Sequence, residues 1–310
     1  MVFNIDKLFE AVAAKGHVCV GLDTCADYIP SAERKKARND AEAVLVFNKA
    51  LIDSTLDVCA CYKVQIAYYE EMGLEGLNAY SQTLKYIKSK GGLAIADIKR
   101  GDIADTASRY AKAHYSGDFE ADFVTISPYM GMDSVDPWIR EAQSLGKGAF
   151  VLMRTSNKGM RDFQYLKTES GEQGAESKGQ GTANDKRLYH VVGDKLSSLA
   201  VQYEGVKGYG MFGAVVGCTE REEAAEIRKN YPNLFFLIPG YGAQGGGALD
   251  AAILLREGNG GVVNASRSII TAWKTECSGN EAALQAAADA ARQASIKMRD
   301  EILKEIRNGK

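Results

Sequence analysis

Apolar runs of strand length alternate with amphipathic helical patterns along almost the whole chain. This alternation is typical of βαβ units, in which a helix connects two parallel strands. The pattern predicts eight strands, at His17–Leu22, Cys61–Ala67, Leu93–Ile98, Phe123–Ser127, Ala149–Met153, Gly213–Gly217, Leu234–Ile238 and Gly261–Asn264. Eight strand-then-helix units indicate an α/β fold, the (β/α)8 TIM barrel, and an open doubly wound sheet is the alternative.

Helical patterns fill the intervals between the predicted strands. They include Ala32–Asp57 and Leu77–Lys90, and a long alanine-rich helix over Ala282–Ile306 closes the chain. The N-terminal stretch MVFNIDKLFEAVAAKG predicts one extra amphipathic helix before the first strand. We expect a single barrel domain over residues 1–310, interrupted after the fifth strand by a long, mobile polar loop at about 157–185.

Composition narrows the classes of partner and compartment. The chain has 310 residues and a net charge of −2, which argues against nucleic-acid or membrane-surface binding by bulk charge. No apolar run reaches the ~20 residues that span a bilayer, and the acidic N-terminal helix does not resemble a signal peptide. The six cysteines lack metal-ligand spacing. Buried, reduced thiols and a cytoplasmic location are therefore expected.

The stretch Leu93–Thr106, LAIADIKRGDIADT, carries the most informative polar residues. Asp97 and Lys99 are two residues apart in a strand and so point to the same face. Asp102 follows the break at Gly101 and is expected to precede a helix that starts at Ile103. Burying such a cluster costs several kcal/mol per ion unless each charge is paired, so a functional role is favoured. The alternative is a buried ion pair followed by a helix with Asp102 as its N-cap.

Chemistry in a barrel gathers at the C-terminal ends of the strands, and here almost every end is polar. The last two ends indicate a phosphate site. The seventh loop, PGYGAQGG, is rich in glycine, so backbone N–H groups can approach an anion. Arg267 follows the eighth strand, and its planar guanidinium suits a phosphate. Gly240, Gly242 and Gly245 also match a dinucleotide fingerprint, but only one strand follows them and no acidic residue for a ribose ends it.

The motif D-x-K-x-x-D-I-x-x-T, formed here by Asp97, Lys99, Asp102, Ile103 and Thr106, resembles the signature of the orotidine 5'-phosphate decarboxylase family. The resemblance extends over nearly the whole chain, because the polar strand ends recur in the family's order. The variants KRGDI and PGYGAQGG resemble the larger, mainly bacterial subgroup.

The resemblance implies a role for each matched residue. Lys63, Asp97, Lys99 and Asp102 would form an alternating charged network, and Asp23 and Lys63 would bind the ribose hydroxyls. The resemblance also implies that Ser156 and Gln244 would contact the pyrimidine, with Pro239 beside it. The phosphate would be held by Gln244, Tyr241, Arg267 and backbone amides near Ser266. The family is typically a homodimer, in which Asp102, Ile103 and Thr106 would reach the neighbouring active site.

The implied reaction is the last step of de novo UMP synthesis, decarboxylation of orotidine 5'-phosphate to uridine 5'-phosphate and CO2. Loss of CO2 from C6 leaves a carbanion without an ordinary electron sink, and no cofactor or metal motif offers one. The mechanism then depends on a preorganised electrostatic site, in which Lys99 stabilises the developing negative charge and protonates C6.

Three other activities fit parts of the pattern. Relatives with D-x-K-x-x-D that act on sugar phosphates require Mg²⁺ held by acidic residues, although Arg100 and the glutamine-bearing seventh loop favour the nucleotide enzyme. A Schiff-base aldolase would use a strand-end lysine, but two flanking carboxylates favour the charged ammonium over the free amine. A catalytically silent nucleotide-binding barrel would bind the nucleotide and release no CO2.

Overall fold

The computed structural model describes residues 2–168, 186–242, 245–276 and 283–309. Eight parallel strands form a closed barrel in which β1 pairs with both β2 and β8. The strands are β1 Val18–Leu22, β2 Cys61–Gln65, β3 Ala94–Arg100, β4 Phe123–Ile126, β5 Gly148–Arg154, β6 Phe212–Val216, β7 Phe236–Ile238 and β8 Gly261–Ala265. The predicted TIM barrel is confirmed, and because the sheet closes on itself the open doubly wound alternative is wrong.

Helices surround the barrel and follow its strands. They are α1 Asn4–Lys15, α2 Ser31–Arg34, α3 Asp40–Thr55, α4 Ala67–Glu70, α5 Gly73–Ser89, α6 Ala104–Tyr115, α7 Asp136–Leu145, α8 Met160–Phe163, α9 Leu188–Gln202, α10 Arg221–Asn230, α11 Ala248–Ile253, α12 Arg267–Ile270, α13 Trp273–Glu276 and α14 Leu284–Asn308. Short 3-10 turns lie at Ala26–Tyr28, Gly117–Phe119 and Met132–Ser134. No described helix is both long and apolar enough to cross a membrane.

The extra N-terminal helix is present and covers the N-terminal end of the barrel. Aromatic rings connect the two, with centroids 5.4 Å apart for Phe123 and Phe150, 5.4 Å for Phe235 and Tyr209, and 5.9 Å for Tyr209 and Phe9 of α1. This apolar layer lies at the N-terminal end of the barrel, and active sites in TIM barrels lie at the opposite, C-terminal end.

Several boundaries differ from the predicted ones. The predicted helix Ala32–Asp57 is two helices, because Asn39 starts α3 afresh by accepting a hydrogen bond of 2.8 Å from the backbone N–H of Glu42. β2 ends at Gln65, before Ala67, and β3 continues to Arg100. The C-terminal helix α14 is observed from Leu284.

The polar insert is not a loop throughout. It contains α8, and the short strands Lys167–Thr168 and Lys186–Arg187 pair in an antiparallel ladder. Residues 169–185 of the predicted insert lie outside the described residues. The five described cysteines are free; four are buried as expected, whereas Cys25 is half-buried, and Cys277 lies outside the described residues.

Candidate active site

A continuous chain of charged hydrogen bonds crosses the C-terminal end of the barrel. Ser266, after β8, donates to Asp23 Oδ2 at 2.8 Å, and Lys63 Nζ donates to Asp23 Oδ1 at 2.8 Å. The same Lys63 ammonium donates to Asp97 Oδ2 at 2.9 Å, and Lys99 Nζ donates to Asp97 Oδ1 at 2.6 Å. Four neighbouring strands therefore contribute to one network, in which the charges alternate in sign.

Asp97 is the buried centre of this network. Besides the two lysines, it accepts hydrogen bonds from Gln65 Nε2 at 2.9 Å and from Thr125 Oγ1 at 2.8 Å. Burial alone would raise the pKa of Asp97, but the charges and hydrogen bonds of Lys63 and Lys99 hold it well below its usual range. Each carboxylate oxygen thus has two donors, and the carboxylate stays ionised.

Lys63 is buried between two carboxylates. Desolvation would lower its pKa, but the charges of Asp97 and Asp23 raise it well above the ordinary value for lysine. A buried ion pair of this kind is held by good geometry and full hydrogen bonding, because desolvation opposes it. Lys63 is therefore a fixed positive charge that holds Asp23 and Asp97 in place.

Lys99 differs from the rest of the network because it reaches into the open end of the barrel. Its side chain is 47% exposed, against 7% for Asp97. Its backbone φ of 43° lies in the left-handed region, which non-glycine residues rarely adopt. Strain at such a position is maintained only where surrounding contacts fix it, and it is concentrated at functional sites.

The site depends on a close contact between β1 and the end of β8. A Cβ on Gly21 would lie 2.0 Å from Ser266 Oγ and 3.0 Å from Asn264 Oδ1. Only glycine leaves room for the Ser266 hydroxyl to reach Asp23. The first and last strands therefore bring their polar ends together without an intervening side chain.

A second polar region lies after β7 and β8. Gly240 and Gly242 have φ values of 104° and 72°, so the turn after Pro239 requires glycine. Arg267 is the first residue of α12; its side chain is exposed, and its guanidinium makes no hydrogen bond or ion pair with another described residue. This cation is free to bind an anion.

Comparison with known proteins places the chain in a family. The model of the orotidine 5'-phosphate decarboxylase / HUMPS family matches residues 16–282. The chain belongs to this family. An orotidine 5'-phosphate decarboxylase of Clostridium kluyveri is 52% identical over 304 residues, which cover 98% of each chain. One from Petrotoga mobilis is 50% identical over 301 residues, 97% of this chain and 98% of that protein. The solved structure of Leishmania donovani OMP decarboxylase has a TM-score of 0.70 at 30% identity, covering 98% of this chain and 99% of that one.

The signature residues that follow β3 are Asp102, Ile103 and Thr106, and none of them bonds to the charged network of its own chain. The Asp102 carboxylate accepts a hydrogen bond of 2.8 Å from the N–H of Ile103 and makes no ion pair with a described residue. Ile103 is 52% exposed and Thr106 is exposed. Helix α6 begins at Ala104, not Ile103, and is capped by the backbone of Ile103 with no side-chain cap, so the N-cap interpretation of Asp102 is wrong.

The other predicted ligand contacts are spread around the barrel opening. Ser156 lies after β5 and is packed against Gly217, where a Cβ would come within 2.9 Å of the Ser156 Cβ. The Tyr241 hydroxyl donates to Glu301 Oε2 of α14 at 2.7 Å, so a phosphate contact would require it to exchange this partner. Gln244 lies outside the described residues.

Sequence reasoning missed two residues of the network, Gln65 and Thr125. Gln65 lies two residues after Lys63 on β2, and this spacing places both side chains on the inner face of the barrel. Thr125 is the inward-facing residue of β4 opposite Asp97. Both residues could have been found by marking the side chains that share the inner face of the barrel with Lys63 and Asp97. Neither glutamine nor threonine indicates chemistry by its residue type alone.

Apart from Asp102, three acidic side chains near the site form ion pairs with cations. Asp23 and Asp97 both bind Lys63, and Glu70 forms an ion pair with Arg100 at 3.0 Å. Throughout the part of the chain that the structure describes, no three His, Cys, Asp or Glu side chains are arranged to hold a metal ion.

Proposed function

We propose that this chain decarboxylates orotidine 5'-phosphate to uridine 5'-phosphate and CO2, and that it does so with its own side chains alone. The observation that carries the proposal is the half-exposed Lys99 ammonium, which is held at 2.6 Å from the buried carboxylate of Asp97 at the open end of the barrel. Relatives with about half of their residues identical over the whole chain bear the name of this enzyme.

The chemistry follows from where charge develops. The bond between C6 and the carboxylate carbon breaks, CO2 leaves, and the electron pair remains on C6. Lys99 stabilises that pair and then transfers a proton from its ammonium to C6, and solvent restores the proton. The buried Lys63 and Asp97 are fixed in place before substrate arrives, so little reorganisation is needed when the charge forms.

Substrate binding is assigned to the polar groups around Lys99. Asp23 and Lys63 would take the ribose hydroxyls. The other contacts proposed are Ser156, Pro239 and Gln244 to the pyrimidine, and Gln244, Tyr241, Arg267 and backbone amides near Ser266 to the phosphate. Phosphate binding is remote from the reacting bond, so its energy is available to close the loop after β7 over the ligand.

We also propose that the working form is a homodimer. Asp102 has no cationic partner among the described residues of its own chain, and Ile103 is exposed although it is apolar. Both are explained if Asp102, Ile103 and Thr106 extend into the neighbouring active site, where Asp102 would join Asp97 in holding Lys99. The five free cysteines fit a reducing, cytoplasmic location.

The experiment is to follow the ultraviolet absorbance of orotidine 5'-phosphate with purified protein, with and without EDTA. Equal loss of the orotate band in both, with uridine 5'-phosphate as product, is the expected result. Turnover that EDTA abolishes would contradict a mechanism that uses side chains alone. An unchanged orotate band with a folded protein would favour the Mg²⁺-dependent activity on sugar phosphates. Binding without turnover would indicate a silent nucleotide-binding barrel.

A further inference from the structure

Strands β3 and β4 lose their regular pairing at the candidate active site. Ile95 pairs with Phe123 and Ala96 with Val124, but the next pair joins Arg100 to Ile126. Three residues of β3 therefore face a single residue of β4, which is Thr125. A bulge of this kind bends the strand and redirects its side chains, and bulges are common beside active sites.

The Thr125 side chain supplies the hydrogen bonds that the interrupted ladder lacks. Its Oγ1 accepts from the backbone N–H groups of Ile98 and Lys99, both at 3.0 Å, and donates to Asp97 Oδ1 at 2.8 Å. One hydroxyl has one proton to donate and two lone pairs, so all its capacity is used. The residue is 1% exposed, so water is not a substitute partner.

These bonds act on the two residues that carry the proposed chemistry. Lys99 has the left-handed φ of 43°, which needs fixing contacts, and its N–H is one of the two that Thr125 accepts. Asp97 Oδ1 receives both the Thr125 hydroxyl and the Lys99 ammonium. One side chain therefore fixes the backbone that carries the ammonium and also the carboxylate that holds it.

We propose that Thr125 is a positioning residue for decarboxylation: it holds the β3 bulge so that the Lys99 ammonium is directed at C6 of the substrate. This role rests on the function proposed above. Thr125 touches neither substrate nor the reacting atoms, and it acts through Lys99 and Asp97. Misplacement of a reacting group by about 1 Å costs on the order of a hundredfold in rate, which sets the size of the expected effect.

Two substitutions separate the hydroxyl from the shape of the side chain. Thr125→Val keeps the branched shape, leaves the N–H groups of Ile98 and Lys99 without this acceptor and removes one donor from Asp97. Thr125→Ser keeps the hydroxyl and loses only a methyl group. The matched control is Thr55→Val, because Thr55 is also buried and its hydroxyl donates to the Leu51 carbonyl of α3 at 2.7 Å. The Thr55 hydroxyl also lies 3.0 Å from the hydroxyl of Tyr62, which points outward from β2 towards α3 and away from Asp97.

The experiment measures kcat and KM for orotidine 5'-phosphate, the affinity for uridine 5'-phosphate by calorimetry, and the melting temperature. For Thr125→Val we expect kcat to fall by about a hundredfold while KM and product affinity stay within about threefold. Thr125→Ser is expected to recover kcat to within about fivefold of the wild type, and Thr55→Val to leave it unchanged. Should Thr125→Val not fold, Thr125→Ala is measured by the same criteria.

Three results would overturn this role while the wild type remains active. One is a hydroxyl-free variant that keeps kcat within threefold. Another is an equal fall in the serine and valine variants, which would make the contribution one of packing. The third is loss of product affinity in parallel with kcat, which would indicate general damage to the site. A wild type that does not turn over orotidine 5'-phosphate would instead overturn the proposed function, and this role with it.

Discussion

The Lys99 ammonium lies 2.6 Å from Asp97 Oδ1, yet the Lys99 side chain is 47% exposed and the Asp97 side chain only 7%. The buried carboxylate is fixed by four donors, and the ammonium projects from it into the open end of the barrel. A ligand bound there would meet a cation whose direction is already set.

Replacing Lys99 with alanine should abolish turnover without unfolding the protein. Asp97 would keep Lys63, Gln65 and Thr125 as donors, so the buried network survives. We expect kcat to fall by about a thousandfold or more, since both charge stabilisation and proton transfer are lost. Lys85→Ala is the control, because Lys85 pairs with one aspartate on the outer surface. A rate within tenfold of the wild type would remove Lys99 from the mechanism.

Arg267→Ala should weaken substrate binding far more than it slows a saturated enzyme. The exposed guanidinium has no partner among the described residues, so its removal leaves no buried charge behind. A charged hydrogen bond contributes about 1.5–3 kcal/mol, which predicts a rise of roughly 10- to 150-fold in the Kd for uridine 5'-phosphate. Affinity for uridine should not change. The control is Arg256→Ala, because Arg256 precedes the start of β8 whereas Arg267 follows its end, and it should change neither affinity. Equal losses of affinity for uridine 5'-phosphate and for uridine in Arg267→Ala would exclude a phosphate role for Arg267.

Mixing two inactive variants tests whether Asp102 serves the neighbouring site. Lys99→Ala and Asp102→Asn each disable both sites of a homodimer. In a heterodimer, one site combines an intact Lys99 with an intact partner Asp102, so random exchange should restore about a quarter of the wild-type rate. The rate is followed after the two variants are dissociated and reassociated together. If Asp102 acts within its own chain, the mixture will stay as inactive as its components.

The buried imidazole of His114 should make the protein less stable in mild acid. Burial, reinforced by the charge of Arg100, lowers its pKa from 6.5 to about 4. Between these two pKa values the unfolded chain binds a proton at His114 and the folded chain does not. The free energy of unfolding therefore falls as pH drops from about 6.5 towards 4, by up to about 3 kcal/mol. Urea unfolding of the wild type and of His114→Phe at pH 7.5 and pH 5 measures the difference. Parallel losses in the two proteins would contradict the assignment.

The architecture was accessible from sequence because each strand of a parallel barrel is a short apolar run between helical patterns. The boundaries that were misplaced are those where polar contacts decide. Asn39 divides a predicted single helix, and the bulge opposite Thr125 carries β3 beyond Ile98 to Arg100. Periodicity does not report such local hydrogen bonds, since they depend on a partner elsewhere in the fold.

The candidate site was accessible where charge breaks an apolar strand, as at Lys63, Asp97 and Lys99. Thr125 was missed because a threonine in a strand usually indicates β propensity and nothing more. The exposure of Ile103 was not readable from the motif alone, because exposure depends on the packing of segments that are distant in sequence. The proposed role of Asp102 and Ile103 in a neighbouring site came from the family resemblance.

The hydrogen bond between Ser266 and Asp23 joins residues 243 positions apart. Asp23 leaves the ribosome early, and its partner follows only when most of the chain has been made. At roughly 5–20 residues per second, Ser266 is added to the chain about 10 to 50 seconds after Asp23. During that interval the nascent barrel has an open seam between β1 and the missing β8, and no catalytic centre. A message truncated before the codon for Gly261 would lack β8 and Ser266, and would therefore yield an inert chain with unpaired strand edges, a form that chaperones and proteases recognise.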